Sequence, residues 1–190
     1  MDVLQIVEWL AVGFNLAFVL LIIKENKWGW PFGIIGSFLS IYIFIESKYY
    51  SEAILYSYYV FMGVYGWIRW SSPKTKHKLI REWGLGKHLL AFVTGCVLFV
   101  LLGKAFSTYS DADKPYYDSF STVFSFLATY MEAQKILSAW VYWTLLNGYS
   151  VWLYMSKDLQ VYGYLMVFYT MLSVIGFLEW RKRMRLQSAG

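Results

Sequence analysis

The apolar residues of this chain fall into seven blocks bounded by charge or turn residues, each of membrane-helix character although the fifth, and the charge-free part of the first, are short for a span. That pattern leaves few folds open. In hydrocarbon every backbone N–H and C=O must be paired within its own segment, so an apolar block of about 20 residues is expected to be a helix. The blocks cover 3–23, 28–45, 53–68, 88–103, 119–133, 140–154 and 159–178. Only 15% of the 190 residues are charged, against about 25% in a typical soluble domain. The expectation is an all-α membrane protein of seven transmembrane helices in a single membrane domain, with the lipid bilayer as its solvent. The fourth block carries no polar stripe and reads as a connector.

The charges orient these helices. Residues 71–87 form a polar linker in which Lys74, Lys76, Lys78, Arg81 and Lys87 stand against Glu82, and Arg181, Lys182, Arg183 and Arg185 follow the last block. Seven crossings put both on one side, with Lys24, Lys27 and Lys135. The loop holding Asp111 and Asp113 falls on the other. The positive-inside rule then predicts an N-out, C-in topology. It also accounts for the net charge of +5 without a nucleic-acid partner. Asp2 and Glu8 stand where a signal peptide carries positive charge, and no small-residue cleavage motif follows, so the first block is expected to be retained as a span. Lys48 closes a short turn after the second block. The single cysteine, Cys96, allows no intramolecular disulfide and reads as a small buried hydrophobe.

The chain also matches itself, without gaps, when Trp30–Trp70 is laid on Trp140–Trp180. Identical pairs are Trp30/Trp140, Ser40/Ser150, Leu55/Leu165, Tyr59/Tyr169, Val64/Val174, Gly66/Gly176 and Trp70/Trp180. Extended backwards, the same offset pairs Asn15 with Ser125. This predicts two three-helix repeats, residues 1–70 and 119–185, separated by a linker, the connector helix and an outer loop over 71–118. Three helices plus one restore the original direction, so the fold is a 3+1+3 parallel pseudo-repeat. Such repeats occur in transporters with the substrate near the midplane.

Within the sixth block, Trp140, Trp143, Asn147, Ser150 and Tyr154 fall within about 80° of one another on a helix. An amide at mid-span is costly unless partnered, and such groups usually face a bundle interior or a cavity. This stripe is expected to line a path for a small aromatic solute. The fifth block, with Asp118 immediately before it, presents Asp118, Thr122, Ser125, Thr129 and Glu132 on one face. Tyr59 and Tyr169 are candidate lining residues, whereas Gly63, Gly66, Ser173 and Gly176 are read as close-packing positions. No carboxylate lies at mid-span; Glu132 falls nearer the cytoplasmic end, within reach of Lys135 three residues on.

The residues that carry a family resemblance are WGWPFGIIGS at 28–37, YGWIRW at 65–70, Asp118-Ser-Phe, WVYWTLLN at 140–147 and IGFLEW at 175–180. With these the chain resembles the PnuC family of bacterial vitamin transporters. The resemblance implies a fold like that of the SWEET sugar transporters, a place in the bacterial cytoplasmic (inner) membrane, and nicotinamide riboside as the substrate. Thiamine and riboflavin are the alternatives, since relatives carry them. It further implies facilitated diffusion, with a cytoplasmic kinase trapping the substrate by phosphorylation. Two positions depart from the family pattern. Tyr56 stands where a glutamine is usual in members that carry nicotinamide riboside, and Ala139 replaces a frequent asparagine.

The residue chemistry suits such a solute. Trp143 and Trp140 can stack on a flat cationic ring, and Asn147, Asn15, Ser37 and Thr122 can meet its hydroxyls. With no acid at mid-span and no phosphate-binding loop, an uncoupled uniporter with alternating access is expected. The substrate-binding set is therefore Trp143, Asn147, Trp140, Tyr169, Tyr59, Asn15, Ser37, Tyr56, Thr122 and Ser125. No cofactor, metal or catalytic group is expected; a second copy of the chain is a candidate partner. A membrane enzyme is disfavoured because the chain lacks HExxH, GxSxG and clustered His or Cys. A retinal receptor is disfavoured because the last block contains no lysine.

Overall fold

The computed structural model describes residues 3–46, 50–73, 79–109, 114–156 and 160–189, the side chains of 4, 50, 51, 160–162 and 189 excepted. Lys48, Lys74, Lys76, Lys78, Asp111 and Asp113 of the expected turn, linker and loop lie outside these residues. Seven helices follow one another: α1 Val3–Ile23, α2 Gly29–Glu46, α3 Tyr50–Ser71, α4 Leu85–Tyr109, α5 Pro115–Ala133, α6 Ala139–Met155 and α7 Gln160–Ala189. Four of them are long and apolar enough to cross a membrane, namely α1, α2, α4 and α7. The other three fall short for visible reasons. α3 carries five tyrosines, α5 carries a polar face, and α6 has only 17 residues.

The chain divides into two compact units, Met1–Leu79 and Ile80–Gly190. In the first, α1 packs on α2 and α2 on α3. In the second, α4 packs on α5, α5 on α6 and α6 on α7.

The turn between α1 and α2 recurs between α5 and α6. α5 ends in a Schellman motif: the N–H of Lys135 donates to the Glu132 carbonyl at 2.9 Å, and that of Ile136 to the Met131 carbonyl at 2.9 Å. Lys135 takes the left-handed backbone conformation (φ 57°) that this motif demands. The usual hydrophobic contact is present, because Met131 and Ile136 share one buried cluster. In the first unit, Glu25 (φ 55°) occupies the same conformation. Its N–H donates to Ile22 at 2.9 Å and that of Asn26 donates to Leu21 at 2.9 Å. The offset that lays Trp30 on Trp140 also lays each of these bonds on its counterpart.

Tryptophan against glycine closes each three-helix set. Trp30 meets Trp70 edge to face at 5.4 Å, and Trp140 meets Trp180 at 5.5 Å. Both approaches need a glycine on the third helix. A Cβ at Gly66 would overlap the Trp30 ring, and one at Gly176 would lie 2.5 Å from the Trp140 ring. Trp–Gly contact lets two helix backbones come close, which is how helices associate where lipid removes the hydrophobic drive between them.

α4 rests on α5 through Gly95 against Phe124 and Gly103 against Tyr116. Its other face leaves Leu90, Val93, Val97 and Leu101 exposed. An apolar face of that extent calls for an apolar surrounding. The chain just before α4 is anchored within the second unit. Arg81 N–H donates to the Lys135 carbonyl at 3.1 Å and Leu137 N–H to the Arg81 carbonyl at 2.9 Å. Ile80 is buried, and its N–H donates to Gln187 Oε1 at 3.0 Å. The polar end of α7 and the linker are thus tied to the α5–α6 turn.

Candidate functional site

The ten residues singled out from sequence separate by unit. Asn15, Ser37, Tyr56 and Tyr59 belong to the first unit. Thr122, Ser125, Trp140, Trp143, Asn147 and Tyr169 belong to the second.

In the first unit a polar chain links the three helices. Asn15 on α1 donates from Nδ2 to Ser40 Oγ on α2 at 3.3 Å. Ser40 in turn donates to the Gly36 carbonyl at 2.9 Å and hydrogen-bonds Tyr56 on α3. The amide comes this close because Gly36 has no side chain: a Cβ there would overlap Asn15 Oδ1. Tyr56 packs edge-on against Tyr59 at 5.2 Å and beside Phe44 at 5.2 Å. Ser37 is buried on α2. Ser40 was legible only as a repeat position. Its role as the joint of this chain depends on which helices meet.

In the second unit the mid-span amide finds its partner on α7. Asn147 Nδ2 donates to Ser173 Oγ at 3.0 Å, and Ser173 donates to the Tyr169 carbonyl at 2.8 Å. Asn147, Ser173 and the Tyr169 backbone therefore form one strip from α6 to α7. Ser173, read from sequence as a packing residue, is the acceptor that orients the amide. The repeat offset pairs it with Gly63, so a hydroxyl present in only one half was the available signal.

Trp140 and Trp143 have different surroundings despite sharing a helix face. Trp140 is 1% exposed, held by Gly176 and Trp180, with its indole Nε1 buried and unpartnered among the described residues. Trp30 Nε1 is in the same state. Trp143 is half-buried and packs beside Phe124, Ala128 and Leu146.

The polar face of α5 lies inside. Asp118, Thr122, Ser125, Thr129 and Glu132 are all buried. Thr129 Oγ1 returns to the Ser125 carbonyl at 2.8 Å, the usual way a helical threonine meets its own need. Glu132, considered from sequence as a partner for Lys135, hydrogen-bonds the Trp143 side chain through its carboxylate. The indole N–H is the only donor on the Trp143 side chain, so Trp143 donates. Sequence spacing carries no sign of this contact, because the two residues come together only across the turn.

Near the α5–α6 turn, Glu82 Oε1 accepts from Ser138 Oγ and lies 3.4 Å from His88 Nε2. His88 Nδ1 stands 3.1 Å from the Tyr142 hydroxyl, and the two rings stack at 5.9 Å. This cluster fastens the start of α4 to α6.

Comparison with known proteins agrees with this architecture. The family model described as "Nicotinamide mononucleotide transporter" matches residues 5–182. A curated relative, the riboflavin/roseoflavin transporter RibM of Streptomyces davaonensis, is 24% identical over 175 residues, covering 87% of this chain and 79% of its own. The crystal structure of the vitamin B3 transporter PnuC superposes with a TM-score of 0.76 at 20% identity, covering 93% of this chain and 80% of that one. At that identity the likeness speaks for the fold.

Proposed function

The chain belongs to the nicotinamide mononucleotide transporter family, and from that premise we propose that it is a multi-pass membrane transporter of a vitamin-sized aromatic solute, with nicotinamide riboside as the first candidate. The observation that carries this reading is the strip in the second unit. An amide (Asn147) held by Ser173 lies one helical turn from a half-buried tryptophan, Trp143. An aromatic face beside an oriented amide suits a flat ring carrying a sugar.

In this reading α3, α5 and α6 cross the bilayer with the four more apolar helices, giving seven spans, N-out and C-in. The two three-helix sets, 1–70 and 119–185, are parallel repeats joined through the connector α4. The same Schellman turn and the same Trp–Gly closure recur at equivalent positions of the two sets, which supports that arrangement. Transport is facilitated diffusion by alternating access in the bacterial inner membrane, with phosphorylation by a cytoplasmic kinase retaining the product.

A second reading, that the solute is a flavin, draws on the riboflavin transporter among the relatives and on Tyr56 in place of a glutamine. Purified protein in kinase-free liposomes decides between them. Labelled nicotinamide riboside is expected to equilibrate without exceeding the external concentration, faster than riboflavin or thiamine. Accumulation above equilibrium driven by an imposed ion gradient overturns the uniport. Uptake of riboflavin alone moves the assignment to the flavin.

A further inference from the structure

Glu132 is a buried ionisable side chain of the second unit that the transport reading has not used. It sits in the last turn of α5, 3% exposed. One carboxylate oxygen takes the Trp143 indole N–H. The other, Oε2, is buried and has no hydrogen-bond partner among the described residues. Changing its protonation does not remove the deficit. An ionised Oε2 lacks a donor, and a hydroxyl on Oε2 lacks an acceptor. Buried groups of this kind are rare in native proteins, and each one calls for an explanation.

The fold itself does not need an acid here. The equivalent position of the first repeat is Ile22, which ends α1 in the same Schellman motif and is 0% exposed. The position equivalent to Trp143 is Gly33, where a Cβ would stand 2.7 Å from the Phe18 ring. The first unit therefore fills this place with aliphatic and aromatic carbon. The second unit puts a carboxylate and an indole on the same backbone. The bond to Glu132 holds the indole by its N–H edge.

We propose that Glu132, set against Trp143, is a specificity-determining residue that selects solutes carrying positive charge on their aromatic ring. An incoming flat cation would be met by the free carboxylate oxygen and by the indole together. A neutral ring of the same shape gains the stacking but not the attraction between a positive ring and the carboxylate. The proposal rests on the transport reading above and deepens it by naming the charge of the substrate.

The test compares nicotinamide riboside, whose pyridinium ring is cationic, with its neutral 1,4-dihydro form, which has the same framework. Both are measured for binding and uptake by the full chain, with Glu132→Gln and Glu132→Ile as variants. Gln keeps an acceptor for Trp143; Ile copies the side chain that the equivalent turn already accommodates, so at least one variant is expected to fold. Wild-type protein is expected to prefer the cation. Both variants are expected to lower the cation-to-neutral preference by about 10-fold or more, the range of one partly desolvated opposite-charge contact. An unchanged preference, whether both solutes fall together or neither falls, overturns the proposal. So does a wild-type uptake whose pH dependence disappears in Glu132→Gln with both solutes, since that marks a proton carrier. Wild-type protein that carries neither form, but does carry riboflavin, overturns the nicotinamide riboside assignment itself.

Discussion

Gly176→Ala is the substitution whose effect the structure sets most directly. The added methyl falls 2.5 Å from Cε3 and 2.6 Å from Cδ2 and Cζ3 of Trp140. Ordinary carbon contacts lie at about 3.5–4.0 Å, so the indole must retreat by about 1 Å. It has little room to do so, because it is already packed edge to face with Trp180 at 5.5 Å and both rings are buried. Overpacking costs about 1–3 kcal/mol, and a clash of this depth against a buried ring belongs in the upper part of that range, about 2–3 kcal/mol. Alanine recovers about 0.8–1 kcal/mol through its better helix propensity. The expected net loss is about 1–2 kcal/mol, a thermal midpoint lower by about 2–8 °C for a chain of this size. The assay is thermal unfolding of detergent-purified protein followed by circular dichroism. Gly148→Ala on α6 is the control. Nothing lies within 4 Å of a Cβ there, so only the propensity gain remains and the midpoint should hold or rise. In a Trp140→Phe background the smaller ring should reduce the cost of Gly176→Ala by about 0.5 kcal/mol or more. A Gly176→Ala protein as stable as wild type, or a Gly148→Ala protein equally weakened, would refute the close-packing argument. Gly66→Ala against Trp30 should repeat the result in the first unit.

Asn147→Leu removes the amide that donates to Ser173 while leaving the bond from Ser173 to the Tyr169 carbonyl. Uptake into liposomes should fall by about 10-fold or more, with a stability cost of only about 1 kcal/mol; normal uptake counts against the site. Ser40→Ala withdraws the acceptor of Asn15 and the partner of Tyr56, and should lower stability by about 1–2 kcal/mol, read from the same thermal assay. Arg81→Pro deletes the N–H that bonds the Lys135 carbonyl. Hydrogen exchange at the Leu137 amide, whose acceptor is the Arg81 carbonyl, should then speed up by about 10-fold. Unchanged exchange there would show that the linker is held by other contacts.

Much of the architecture is readable from residues alone. The bounds of α1 and α2 fall within one residue of the apolar blocks at 3–23 and 28–45. The pairing of Trp30 with Gly66 and of Trp140 with Gly176 is foreshadowed by the gapless self-match, since a large ring and a missing side chain recur together. The buried face of α5 is visible as hydroxyls and carboxylates at helical spacing. Length and apolar character enough to cross a membrane are present in α1, α2, α4 and α7, whereas tyrosines, a polar face and short length keep α3, α5 and α6 below that mark. Those are the helices that carry Tyr56, Thr122, Trp143 and Asn147.

Periodicity assigns a residue to a helix face, and the internal repeat assigns it a counterpart. Neither says which neighbouring helix that face meets, or at what depth. That Asn147 bonds Ser173, that Asn15 and Tyr56 share Ser40, and that Glu132 reaches Trp143 across the α5–α6 turn depend on interhelical approach and on rotamers. Only the packed structure sets these. The self-match of the sequence, laid over the matching turns, also brings out a chemical inequality, Ile22 and Gly33 against Glu132 and Trp143. Sequence alone held those four residues, but their meaning needed the turn that brings each pair together.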